Sequence, residues 1–161
     1  MVAALRSSSE TLVIDFVLNI DPHGKEAVKA RAIRTGKGWT AQTYTPTKTR
    51  QRMKEIALLA RPFKPAHRLE GPLHVELVAE FARPGYMCKR SKRTGELLGG
   101  HSEWRILHTA KPDCDNISKL VLDSLKEWWR DDAQVTRLEV RKFYHAMDGK
   151  PLLRVVIRKA S

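Results

Sequence analysis

The chain has 161 residues, with 30 Lys and Arg against 18 Asp and Glu and a formal net charge of +12. This length fits one domain with its own hydrophobic core, and the basic excess points to a polyanionic partner, since Lys and Arg displace counterions condensed on a phosphate backbone. No apolar run approaches the ~20 residues of a membrane span, MVAALRSSSE lacks the apolar core of a signal peptide, and two cysteines, Cys88 and Cys114, give neither a disulfide framework nor a CxxC spacing. Reduced thiols, no membrane partner and a cytoplasmic setting, in a bacterium or a phage-infected cell, are expected.

In chain order, Thr11 to Ile20 (TLVIDFVLNI) is β-branched and apolar, which predicts a buried strand ended by Asp21-Pro22-His23-Gly24. Two short strands follow, around Ala27–Arg34 and Trp39–Tyr44, with a turn at Gly36-Lys37-Gly38. Thr47 to Ala60 is predicted helical, with Met53, Ile56, Ala57 and Ala60 on one face and Thr45 or Thr47 as its cap. Leu73 to Phe81 alternates apolar and polar residues, the pattern of a strand with one buried face. Arg83 to Thr109 has no clear period and is expected to be a long loop or insertion within a single domain spanning 1–161.

Ile117, Leu120, Val121, Leu125 and Trp128 mark one face of a helix from about Asn116 to Trp129, capped by Asp115 or Asn116. VTRLEVRKFYHAM then alternates, and a turn at Asp148-Gly149 predicts that it pairs with LLRVVIRKA as a hairpin. The order of elements predicts an α+β fold, a mixed β-sheet packed with helices.

The segment Lys111 to Val135, KPDCDNISKLVLDSLKEWWRDDAQV, breaks the charge pattern. It holds six acidic residues and four basic ones, for −2, while the remaining 26 basic and 12 acidic residues sum to +14. Crowded carboxylates are costly unless something binds between them. Asp113 and Asp115 stand two apart before a helix, so both can face one point. Asp131 and Asp132 follow the helix, and a strand running back beside the chain that leads into Asp113 could bring the two pairs together. Converging carboxylates form a hard-oxygen site suited to Mg²⁺, with Mn²⁺ as a substitute. Lys119 lies one helical turn after Asp115, where it can steady developing charge on a phosphate. Alone, Asp115 as a cap, Asp131-Asp132 as a solvated turn and Lys119 as a surface lysine are all ordinary; the constellation is not.

K-P-D-x-D-N, a following lysine and D-D-x-Q-V resemble the signature of the RusA family of Holliday junction resolvases. KARAIR is similar to that family's basic strand, with Ala32 where proline is frequent, and TYTPTKTR is similar to its Y-T-P-x-x-T segment. The resemblance implies a RusA-like fold and metal-binding roles for Asp113, Asp115 and Asp132. It also implies an adjacent acidic position at Asp131, a catalytic role for Lys119, and a Mg²⁺-dependent homodimer that cuts four-way DNA junctions symmetrically. Phosphate contacts are then expected from Lys29, Arg31 and Arg34, from Lys48 and Arg50, and from Lys89, Arg90, Lys92 and Arg93. Trp128 and Trp129 are expected in the core, with Tyr86 and Trp104 as the aromatics facing a junction centre. The rivals are a less selective nuclease of flaps and branched DNA, and a DNA-binding protein without catalysis.

Overall fold

A computed structural model describes residues 13–98, 104–147 and 149–160. Its elements are β1 (Val13–Leu18), β2 (Lys29–Thr35), β3 (Gly38–Tyr44), α1 (Thr47–Ala60), β4 (Leu73–Phe81), β5 (Ile106–Leu107), α2 (Cys114–Leu125), β6 (Val135–Tyr144) and β7 (Leu152–Lys159). Five strands form one mixed sheet in the order β1-β7-β4-β6-β5, and β2 pairs only with β3 in a separate ribbon. The protein is an α+β domain in which one sheet carries two helices.

The core follows from the alternation in the strands. Leu73, Val75, Leu77, Ala79 and Phe81 of β4 join Phe16 and Leu18 of β1 and Leu153, Val155 and Ile157 of β7. Ile56 and Ala60 of α1 and Ile117, Leu120, Val121 and Leu125 of α2 close that face. The other face carries charge: Arg154 grips Asp15 through two guanidinium nitrogens, and Glu76 receives Arg141 and Arg158. The Arg154 guanidinium holds the Asp15 carboxyl below its usual range.

Three local expectations are corrected. β7 does not form a hairpin with β6; β4 lies between them, antiparallel to β7 and parallel to β6. A nearby turn favours a hairpin, but β4 is the most buried strand and takes the centre (Asp148, part of the expected turn, lies outside the described residues). Helix α2 starts at Cys114 with Asp113 as N-cap, so Asp115 sits in the first turn rather than at the cap, and the helix ends four residues before Trp129. Pro46, not a threonine, precedes α1, and no side chain caps that helix. In the expected loop from Arg83, a short 3₁₀ turn at Gly85–Cys88 is followed by a bridge between Arg90 and Leu97 and then by β5; residues 99–103 lie outside the described residues.

Candidate active site

The acidic motif begins with Pro112, whose ring keeps the preceding chain out of helical geometry. Asp113 has extended backbone (φ −76°, ψ 155°), and its side chain makes no capping hydrogen bond, so its carboxylate is not consumed by the helix it starts. Asp115 lies in the first turn. Lys119 Nζ donates to Asp115 Oδ2 at 3.0 Å across one turn, and both side chains are well exposed. That hydrogen bond holds the Asp115 carboxyl below the usual carboxylate range. The partial positive charge at the start of α2 favours the same two anions.

Several contacts fix this stretch. Lys142 Nζ, from β6, donates to the carbonyls of Ala110 and Pro112 at 2.8 and 2.7 Å. The Lys25 amide donates to the Asn116 carbonyl at 2.8 Å, and Lys25 Nζ pairs with Asp123 at 2.5 Å. A Cβ on Gly24 would stand 2.6 Å from Pro112 Cβ, so only glycine permits this close approach. Asp113, Asn116 and Lys119 open into a cleft of about 1010 Å³ whose walls carry Lys25, Lys29 and Lys111. Asp21 and Glu26 line it as well, so lysines and carboxylates face the same space.

The second acidic pair is elsewhere. Asp131 caps the 3₁₀ turn Asp132–Gln134: its side chain accepts from the Ala133 amide at 2.8 Å, while Gln134 Oε1 accepts from the Arg130 and Asp131 amides. Asp132 Oδ1 accepts from Nε1 of the buried Trp129 at 2.8 Å. This turn precedes β6, whose first residue pairs with Leu73, whereas the Asp113 loop is bound to Lys142 near the strand's far end. Helix α2, of 12 residues, is ~18 Å long at 1.5 Å per residue. The expected convergence of Asp131 and Asp132 on Asp113 and Asp115 within one chain is therefore corrected: β6 does run back to the Asp113 loop, but the aspartate pair sits at its start and is left behind. Among the described residues no three His, Cys, Asp or Glu side chains lie close enough to hold a metal ion. Two exposed carboxylates at a lysine-bearing cleft still fit Mg²⁺, which is commonly bound by one or two carboxylates, substrate phosphate and water rather than by an all-protein cage.

The basic residues divide by position. Lys29, Arg31 and Arg34 are exposed on β2, and Arg31 is braced by two hydrogen bonds to Gln42 Oε1 and by the Tyr44 ring, 5.8 Å from its guanidinium carbon. Lys48 and Arg50 are exposed in the first turn of α1, with Lys48 lining a neighbouring cleft beside His23 and Glu26. Lys89, Arg90, Lys92 and Arg93 are exposed after the 3₁₀ turn, on a segment tied to the sheet by buried Arg83, whose Nε donates to the His145 carbonyl at 2.7 Å. Lys25, Lys142 and Gly24 were not singled out by sequence reasoning, and Lys111 entered only as the first residue of the K-P-D-x-D-N motif, with no role. Nothing in the sequence marks Lys142.

Fold and site define a class: a small basic α+β protein whose lysine-walled cleft exposes the acidic start of a helix. The chain matches the family model described as endodeoxyribonuclease RusA over residues 20–158 and belongs to that family, which makes it a nuclease, a hydrolase acting on DNA. It is also 30% identical over 131 residues to the uncharacterized protein YqaN of Bacillus subtilis (strain 168), covering 81% of this chain and 85% of that one. Among the described residues no helix is long and apolar enough to cross a membrane.

Proposed function

We propose that this protein is a Mg²⁺-dependent, structure-specific endodeoxyribonuclease that resolves four-way DNA junctions by symmetric phosphodiester hydrolysis and acts as a homodimer. The observation that carries the proposal is the opening of Asp113 and Lys119 into one cleft with Lys29 and Lys111, with Asp115 bonded to that Lys119, in a RusA-family chain. Asp113 and Asp115 would hold Mg²⁺. The metal supplies a polarised phosphoryl oxygen and a bound water of lowered pKa. Lys119, held by Asp115 until substrate arrives, turns its ammonium to the phosphate and stabilises the charge that grows on it. Lys29 and Lys111 bind the flanking phosphates and orient the strand.

A homodimer also gives the distant pair a role. Asp131 and Asp132 of one copy reach the Asp113–Asp115 cleft of the other, so that each of two equivalent sites draws on both chains. A two-fold dimer presents two such sites to the near two-fold junction. Trp129 and the capping of Asp131 hold the second pair rigid for this purpose.

The test is incubation with labelled four-way, forked and linear duplex DNA in Mg²⁺, Mn²⁺ or EDTA. Paired, symmetric cuts in the four-way substrate with either metal, none with EDTA, and intact linear duplex are expected. Equal cutting of forks and flaps would assign the less selective nuclease; binding of all substrates without cutting would contradict the proposal.

A further inference from the structure

The β2–β3 ribbon stands off the main sheet. Its strands pair only with each other; every residue of β3 is exposed, and in β2 only Ile33 is partly covered. A two-stranded hairpin is marginally stable in water, so a ribbon this bare is completed by something outside the chain. Charge decides what. Residues 29–44 carry Lys29, Arg31, Arg34 and Lys37 and no acidic residue, which suits a polyanion and repels a second copy of this basic protein. A two-stranded ribbon fits the major groove of duplex DNA, ~12 Å wide. The root of the ribbon, Lys25 to Lys29, forms a wall of the cleft that holds Asp113, and seven residues of strand reach ~23 Å from it.

The tip is unusual in what it carries. The turn closes at Gly38, whose φ of +117° a side chain rarely adopts, and the next residue is Trp39. It is 74% exposed, whereas Trp128 and Trp129 are 4% and 1% exposed in the core. In the ribbon register Trp39 lies opposite Arg34, so a large aromatic face is presented next to a cation at the outermost point of the arm. The bases of intact duplex already stack on both faces, while a branch point leaves base faces uncovered.

We infer that Trp39 is a specificity-determining residue: it stacks on a base exposed where the DNA arms meet, while Lys29, Arg31, Arg34 and Lys37 hold the phosphates of one arm. This rests on the proposed action on branched DNA and names the residue that distinguishes a branch from a duplex. The rival is the expectation that Tyr86 or Trp104, 58% and 79% exposed, does so.

The full-length protein, Trp39→Ala and Trp39→Phe are compared by titration against a four-way junction with 2-aminopurine at the branch point and against linear duplex of the same sequence. Circular dichroism and sedimentation are run on each variant. Stacking of one base on an aromatic side chain corresponds to roughly 10- to 100-fold in affinity. Trp39→Ala should lose that factor on the junction only and abolish the fluorescence change at 2-aminopurine, and Trp39→Phe should retain most of both. Equal losses on junction and duplex, an unchanged junction affinity, or dissociation of Trp39→Ala into smaller species would each overturn the inference. Loss of junction preference in Trp104→Ala or Tyr86→Ala but not in Trp39→Ala would do the same. Wild-type protein that distinguishes junction from duplex yet cuts neither with Mg²⁺ would sink the proposed catalysis and leave the Trp39 result standing.

Discussion

At the first turn of α2, Asp113 makes no capping bond and Asp115 has a lysine as its side-chain partner; past the helix's other end, Asp131 and Asp132 are tied to the Ala133 amide and to the Trp129 indole. The same side-chain type is left available at one end and built into the frame at the other. The backbone around the first pair is nonetheless firmly held, by Lys142, by the Lys25 amide and by the contact of Gly24 with Pro112. A carboxylate meant for an incoming ion needs a fixed backbone and an uncommitted head group; a carboxylate that holds a turn needs the reverse. Asp132 combines the two, since one of its oxygens serves the turn and the residue remains exposed.

This contrast can be broken most sharply at the first pair. Asp113→Asn and Asp115→Asn should each lower the single-turnover cutting rate by at least about 10²-fold, the scale on which loss of transition-state charge stabilisation operates. Junction affinity should stay or rise, because a negative charge facing phosphate has been removed. Lys119→Ala should cost rate on a similar or somewhat smaller scale and affinity only slightly; matched losses in both would make Lys119 an ordinary phosphate contact.

Gly24→Ala forces Pro112 aside, and a displacement of ~1 Å in a catalytic frame costs up to about 10²-fold. A cutting rate within twofold of wild type would show that the Gly24–Pro112 contact does not position the site. At Asp131 the two functions separate by substitution. Asn caps as well as Asp, so Asp131→Asn should keep its stability, whereas Asp131→Ala should lose about 1 kcal/mol in denaturant unfolding. Equal stability of the two would remove the capping role.

The smallest effect expected is a slope with pH. His108 is buried, stacked on Phe81 at 4.0 Å between ring centroids and close to Tyr144. Burial lowers its pKa, and Lys142 adds to the shift. The unfolded chain, with an ordinary histidine pKa of about 6.5, binds the proton more readily, so this contribution is fully present above that pH and is lost as pH falls below it. Thermal unfolding should therefore decline from pH 7 towards pH 5, and His108→Phe should flatten that decline; an unaltered profile would remove His108 as its source.

Much of the fold was legible because its signals are local. The 3.6-residue apolar period of α1 and the two-residue period of β4 end at the residues where these elements end, and the Gly36-Lys37-Gly38 turn lies where the ribbon turns. What failed was non-local. The turn before β7 suggested a hairpin with β6, but strand order is decided by which strand buries most of its residues, and that is β4. In the site, the Asp113–Asp115–Lys119 spacing was readable because a helix start fixes it within seven residues. Convergence with Asp131 and Asp132 was not, since it depended on where β6 begins relative to its neighbours. Trp39 looked like an ordinary strand residue, as nothing in its local sequence reveals that the ribbon leaves the sheet.

The central claim, that each cutting site joins Asp113 and Asp115 of one copy to Asp132 of another, is tested most directly by mixing two inactive chains. Asp115→Asn and Asp132→Asn proteins, each unable to cut alone, are denatured and refolded together and assayed for nicking of a four-way junction in Mg²⁺. In a mixed two-fold dimer one site then carries both substitutions and the other carries neither, so nicking should return at about a quarter of the wild-type site activity. A mixture as inactive as its parents, with mixed dimers shown to have formed, would contradict the account.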